Sequence, residues 1–539
     1  MNADRFTLQL ITNSLRYASE EMGLALRNSA YSPNIKERMD HSAAVFYPEG
    51  RLLAQAEHIP VHLGSLPWGL NNLLERCRLD GLDLSEGSMI VSNNPYITGT
   101  HLNDVTVASP IHHRGRLVGF AVNKAHHSDV GGRVPGSISM ESRTLSDEGF
   151  VLDLAYLTKN GEFVEKTVEN FSSASRTPFE RKGDLKAQKA ANITGTRRVV
   201  DTISRYGLET FRIACRESFS QSESMMRRRI SLIPSGTYSA SEILEGARGA
   251  ELILRVKVRI SGRSVEVDYT GTDPEVDYPL NAVFGVTLSG AFFVLRTLTG
   301  DDIPANHGAF APVTVVAPSG TLLNPTYPHP VGGGNVETSQ RNADLVYRAM
   351  CGALPDIVPA APGGSMNNIM IGGGRGSRRW AFYETIGVGL GGRKQADGID
   401  GIQCNMTNTM NTPIEEIERS LPLMITRYEF RAGSSGAGRR RGGVGVVRRY
   451  RALSAHTILT VLADREFHSP WGVRGGRDGK TTEAVVERLG KEVRVPCKST
   501  LAMNASDEFE IRTAGGGGYG DPARRSVSDI RRDTANGLT

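Results

Sequence analysis

Cysteine is scarce in this 539-residue chain, and the five present, Cys77, Cys215, Cys351, Cys404 and Cys497, stand far apart with no CxxC pair. Neither a disulfide framework nor a zinc ribbon is therefore expected. A run of about 18 apolar residues is also lacking, which argues against a membrane span. The first residues carry early acidic side chains in place of an uninterrupted signal-type apolar core, so a cytoplasmic chain is expected. Charge of one sign is missing too: 63 Lys and Arg face 58 Asp and Glu, a net charge of +5. Spread over so large a surface, that does not imply a nucleic-acid partner. The densest basic run, Arg439, Arg440, Arg441, Arg448, Arg449 and Arg451, is interrupted by glycine and valine and reads as a strand pair with a solvated face.

Several catalytic signatures are absent. Sixty glycines invite a search for a phosphate loop, yet Gly387, Gly389 and Gly392 fit GxGxxG without a convincing strand, helix and acidic partner. Gly479-Lys480-Thr481 resembles the end of a Walker loop, but the first glycine of that motif would fall on Arg474. No GxSxG elbow occurs. Cys404, the one cysteine among polar residues, reads as a buried structural thiol. ATP is thus not expected to sit on this chain.

The length implies several domains or one interlocked architecture. Leu8, Ile11, Leu15, Ala18, Met22 and Leu26 recur at the spacing of one helical face, which must end before Pro33. Residues 43–46 and 52–54 read as a hairpin, and residues 88–157 as short strands alternating with glycine loops. Residues 179–226 read as one or two helices. Alternation through Leu254, Val256, Val258 and Ile260, a turn at Ser261-Gly262-Arg263, and Val265, Val267 and Tyr269 give the clearest hairpin. A helix is expected from Ser339 to Leu354, then strands and glycine loops, with residues 521–539 a frayed tail. The fold class is α/β mixed (α+β), large and multi-domain with mixed sheets. Residues 1–230 form an N-terminal metal-binding region, 231–345 a strand-rich middle and 346–539 a glycine-rich, mostly β region.

Only 12 histidines occur, yet His58, His62, His101, His112, His113, His126 and His127 fall within seventy positions. A metal site needs imidazole and carboxylate groups converging from short, ordered segments. His101 and Asp104 supply one of each, and the stretch His126-His127-Ser128-Asp129 supplies a second set. Gly99, Gly131 and Gly132 flank both and permit close backbone approach. His112 and His113 read as exposed in a turn. His58 and His62 either line the same pocket or merely pack.

The chain resembles the hydantoinase B and 5-oxoprolinase family in residues 31–40 (YSPNIKERMD), 58–65 (HIPVHLGS), 94–96 (NPY), 99–104 (GTHLND) and 126–132 (HHSDVGG). The likeness continues in 332–341 (GGGNVETSQR), 406–409 (MTNT), 411–413 (NTP) and 515–522 (GGGGYGDP). It implies metal ligands at His101, Asp104 and His126, with Asp40 a fourth ligand or close neighbour; the metal would be manganese, zinc or iron. It also implies a partner subunit of the hydantoinase A type that carries ATP, and a small cyclic amide substrate such as a hydantoin, 5-oxoproline or a lactam. His127 or Asp129 would then serve as base or orienter of the attacking water, and His58 and His62 as substrate contacts. Relatives often have histidine where this chain has Asn405, so the group recognised there is expected to differ. Two alternatives stand beside hydrolysis: a subunit of an acetone- or acetophenone-type carboxylase, or a scaffold without catalytic function.

Overall fold

The computed structural model describes residues 4–56, 58–300 and 302–539. The first helix, Arg5–Ser29, starts where the Asp4 carboxylate accepts from Thr7 N, and it buries Ile11, Leu15, Ala18, Met22 and Leu26. The expected face is thus the observed one. Its end at Ser29 matches the restriction Pro33 places on the chain ahead.

That helix lies on a seven-stranded sheet built from β1 (His41–Phe46), β2 (Leu52–Gln55), β3 (Met89–Ser92), β4 (Asp104–His113), β5 (Arg116–His126), β6 (Ala155–Lys159) and β7 (Glu162–Phe163). The order is β2-β1-β5-β4-β3-β6-β7, antiparallel throughout. Strand period decides which side chains go where. Ala43, Val45, Ala121 and Ala125 face Arg5–Ser29 and the long helix Pro178–Tyr206. Ala44, Phe46, Phe120 and Val122 face Leu66, Leu70 and Leu73 of the helix His62–Asp80. Burying each large aliphatic side chain contributes about 1.5–3 kcal/mol, so the sheet is clamped from both faces. Residues 179–226 resolve into two helices, Pro178–Tyr206 and Leu208–Ile230, broken at Gly207.

A second sheet, in the order β11-β10-β9-β8, combines β8 (Gly236–Glu245), β9 (Glu251–Ser261), β10 (Ser264–Asp268) and β11 (Val313–Val316). The β9–β10 pair is the hairpin legible in the sequence. Against this sheet pack the helices Phe284–Thr299 and Ser339–Met350, the latter preceded by a π-helical turn, Gly334–Thr338.

The C-terminal part holds two more sheets. One runs β13-β12-β16-β19, from β12 (Asn368–Gly373), β13 (Trp380–Thr385), β16 (Thr457–Leu462) and β19 (Lys498–Met503). The other runs β14-β15-β20-β17-β18, from β14 (Leu423–Arg431), β15 (Gly445–Ala452), β17 (Glu483–Arg488), β18 (Lys491–Val495) and β20 (Glu508–Arg512). The fold is thus mixed α/β with four sheets, as expected. The largest buried apolar cluster draws on Ile59, Leu254, Val346 and Leu462, joining all three stretches of chain. Position 230 ends a helix, whereas 345 lies inside Ser339–Met350.

Three local expectations are corrected. Residues 521–539 do not fray: they hold a helix, Val527–Ala535, whose buried Asp533 accepts from Arg441 and Arg525. Ion pairing, which apolar periodicity cannot register, fixes this tail. The basic run is not simply a solvated face either, because Arg448 is fully buried and pairs with Glu384 at 2.9 Å. The helix from Ser339 ends at Met350, and turns carry the chain on to Leu354.

Candidate metal centre

Asp104 opens β4 and His126 closes β5, and the two are direct partners across the ladder. On the other side of β5, His41 of β1 stands opposite Ala125. Asp40, the residue before β1, therefore reaches the same end of the sheet, and its carbonyl accepts from His126 N at 3.0 Å. His101 arrives from the turn ahead of β4, where Asp104 N donates to the His101 carbonyl at 3.0 Å. Gly99 starts that turn with φ 84°, and a Cβ there would stand 2.8 Å from the Trp68 ring. Glycine meets both demands.

Three ring and carboxylate atoms converge. His101 Nε2 lies 3.2 Å from Asp104 Oδ1 and 3.0 Å from His126 Nδ1, which is itself 3.3 Å from the same oxygen. All three residues are buried. Asp40 Oδ2 stands further out, 3.9 Å from His126 Nδ1 and 3.9 Å from the buried Arg38 guanidinium. His101 Nδ1 donates to the Gly332 carbonyl at 3.2 Å, which leaves the Nε2 lone pair aimed at the cluster. The His126 ring stacks on Tyr383 with centroids 4.6 Å apart, and its buried Nε2 has no hydrogen-bond partner.

The electrostatics follow from burial and proximity. Burial opposes the Asp104 carboxylate, but the charge and hydrogen bond of His101, with those of His126 and His62, hold its pKa well below the usual range. Burial also opposes the His101 cation, yet Asp104 and the Gly332 carbonyl outweigh it and the pKa is raised. For His126 burial prevails and the pKa falls, Asp40 and Asp104 opposing only in part.

These residues fit a divalent transition metal. Donor atoms sharing one ion at bond lengths of about 2.1 Å stand about 3.0–3.4 Å apart, as the three separations here do. Two imidazole nitrogens facing each other over a carboxylate oxygen need either a proton or a cation between them. The cavity they line, with Ile59, Val61 and Val336, measures about 20 Å³, room for one ion or one water.

The remaining expected site residues are dispersed. His62 joins the cluster: its Nε2 lies 3.3 Å from Asp104 Oδ2 and its Nδ1 2.8 Å from Ser42 Oγ. His58 lines a separate, larger cavity with Leu63 and Phe293, and burial, with the nearby His62, lowers its pKa to about 4. Asn405 lines a third cavity and donates to Asp344 Oδ1 at 2.9 Å. His127 points to the face opposite His126, where its Nε2 donates to Gln188 at 3.1 Å. Asp129 is buried in a loop, accepting from Gly131 N, Gly136 N and Arg176. Neither His127 nor Asp129 lines the cavity of the cluster.

Other residues at the site had no role from sequence. Tyr383 and Thr385 come from β13, and Arg38 ties that strand down by donating to the Tyr383 carbonyl (3.3 Å) and Thr385 Oγ1 (2.9 Å). Asn335, in the π-helical turn, lines the cavity with its buried Oδ1 unpartnered. Asn335 and Arg38 lie inside motifs that carried the family resemblance; Tyr383 and Thr385 lie in none.

Comparison with known proteins agrees with this geometry. A family model described as Hydantoinase B/oxoprolinase matches residues 4–522. An uncharacterized protein of Methanocaldococcus jannaschii is 44% identical over 98% of this chain and 93% of its own. The 5-oxoprolinase of Dictyostelium discoideum is 33% identical over 96% of this chain, which spans only 40% of that protein. Among solved structures, the ATP-dependent caprolactamase from Pseudomonas jessenii superposes with a TM-score of 0.92 at 28% identity, covering 100% of this chain and 95% of the other. With a family model matched over nearly its whole length, the chain that carries this His-Asp-His cluster belongs to the hydantoinase B/oxoprolinase family.

Proposed function

We propose that this chain is the metal-bearing subunit of an ATP-dependent cyclic-amide hydrolase, working with a hydantoinase A-type subunit that binds ATP. The observation that carries the reading is the convergence of His101 Nε2, Asp104 Oδ1 and His126 Nδ1 in a buried, ion-sized cavity. Relatives described as a 5-oxoprolinase and an ATP-dependent caprolactamase support the substrate class. The separate ATP subunit is supported by the lack of a phosphate loop and by the 40% share of the 5-oxoprolinase that this chain spans.

An unstrained amide is a poor electrophile because attack must break its resonance; phosphorylating the ring oxygen on the partner would make it a leaving group. His101, Asp104 and His126 would hold the divalent cation, with Asp40 beside them, and the ion would acidify water enough to provide a nucleophile near neutral pH. This chain's residues supply the rest. Ser42 and His62 form a relay onto Asp104 Oδ2, holding the carboxylate so that Oδ1 faces inward. The Gly332 carbonyl fixes the His101 tautomer. Ile59, Val61 and Val336 limit the water that enters. His62, which touches the cluster, takes the orienting role in this reading, while His127 and Asp129 brace the backbone beyond His126.

The test is to co-purify the chain with its partner, supply ATP with a hydantoin, 5-oxoproline or caprolactam, and measure release of the ring-opened acid. His101→Ala and Asp104→Ala should each lose bound metal and reduce turnover to background. Full turnover by the double variant would instead favour a scaffold role, and sustained turnover by this chain alone without ATP would also overturn the reading.

A further inference from the structure

The cluster's own cavity is too small for a ring, yet a chamber of about 500 Å³ lies directly behind it, within the range of small-molecule sites. Ile59 lines both spaces. So does the segment 407–408, since Thr407 faces the cluster and Asn408 faces the chamber. The chamber walls are largely apolar: Leu63, Phe293 and Ala305 belong to the hydrophobic cluster under the helix Phe284–Thr299. Its one formally charged wall residue, Arg296, donates to the Ile303 carbonyl at 2.7 Å.

Asn408 is exposed to this space, and its carboxamide makes no hydrogen bond to a described residue. A cyclic amide is held cis by its ring, so its N–H and C=O lie along one edge. A primary carboxamide presents the complementary donor and acceptor at the same spacing, and the pair closes two hydrogen bonds. The apolar walls suit the hydrocarbon part of the ring, whereas an added carboxylate would lose hydration there without a new partner.

We propose that the chamber behind Ile59 is the binding site for the cyclic amide, that the Asn408 carboxamide reads its cis-amide edge, and that rings with hydrocarbon skeletons or substituents are favoured over 5-oxoproline. The proposal rests on the hydrolase reading above and adds the recognition residue and substrate class.

The experiment compares ε-caprolactam, 5-isopropylhydantoin and 5-oxoproline with the co-purified complex, reading KM and kcat beside metal content, and adds calorimetric binding of caprolactam without ATP. The two hydrocarbon rings should show the lower KM. Asn408→Ala should raise KM for both about ten-fold or more, and Ala305→Phe, which fills the chamber, should do the same with a larger effect on the isopropyl ring. Metal content should stay unchanged in both variants. Unchanged KM values in both variants, with hydrolysis intact, would overturn the chamber and leave the hydrolase reading standing. A lower KM for 5-oxoproline would overturn the substrate preference. If no ring is opened but caprolactam binding is present and lost in Ala305→Phe, the hydrolase reading fails and the chamber survives.

Discussion

His62 offers a sharp test of the cluster because it touches Asp104 and not the space where an ion would sit. Its Nε2–H donates to Asp104 Oδ2 at 3.3 Å, backed by Ser42 at 2.8 Å. His62→Phe keeps an aromatic ring of similar size and deletes the donor. Asp104 is fully buried, so Oδ2 then loses its donor with no water to replace it. Outer hydrogen bonds to ligating groups typically govern metal affinity by about 10–100-fold, equivalent to about 1.4–2.7 kcal/mol. The loss should be read as a rise in metal Kd by competition with a fluorescent chelator. Ser42→Ala, which removes only the outer support, should produce the same change at smaller size. The apo His62→Phe protein should also melt lower, since leaving a buried acceptor unsatisfied costs about 1–3 kcal/mol. Unchanged metal affinity in His62→Phe would refute the view that Asp104 binds through an oriented Oδ1.

Other outcomes follow from the same structure. Burial lifts the Glu148 pKa to about 7, against the opposing hydrogen bonds from Val331 N and Gly332 N. A carboxyl whose folded pKa is raised gives stability that is present below its unfolded value and lost as pH rises through the folded one. The apo protein should therefore weaken between about pH 4.5 and 7, by up to roughly 3 kcal/mol from this group, and Glu148→Gln should flatten that part of a melting-temperature profile; an unaltered slope would exclude Glu148 as the source. Asp533→Ala strands the Arg441 and Arg525 guanidinium groups that now pair with it and should cost about 3 kcal/mol, read as a lower melting temperature with unchanged metal content. A variant as stable as the parent would mean that the tail helix is not held by these pairs.

The parts legible in the sequence were those whose signal is local. The face of Arg5–Ser29 and the β9–β10 hairpin carry their periodicity in consecutive residues, and His101 and Asp104 lie within one turn. His126 joined them because glycines mark both segments, while Asp40 emerged only through the family resemblance. What was not legible is long-range. Arg38 and Tyr383 are 345 positions apart, and nothing near Tyr383 announces that its ring will lie on His126. Sequence neighbourhood also misled: His127 and Asp129 sit beside His126, but strand alternation sends His127 to the helix Pro178–Tyr206. The tail was misread because its anchor, Asp533, pairs with Arg441, 92 positions away.

The arrangement of the ligands on β1, β5 and β4 has a consequence for how the protein matures. None of these strands alone presents more than a fragment of the donor set, and Asp104 and His126 meet only when β4 and β5 pair in the observed register. A slip of one residue would turn one of the two toward the opposite face of the sheet. The ion can therefore be captured only after the sheet has closed correctly, and from then on its binding energy opposes reopening at that edge. Metal uptake thus acts as a proofreading step on strand pairing: it does not help the chain begin to fold, but it retains the molecules that have folded in register.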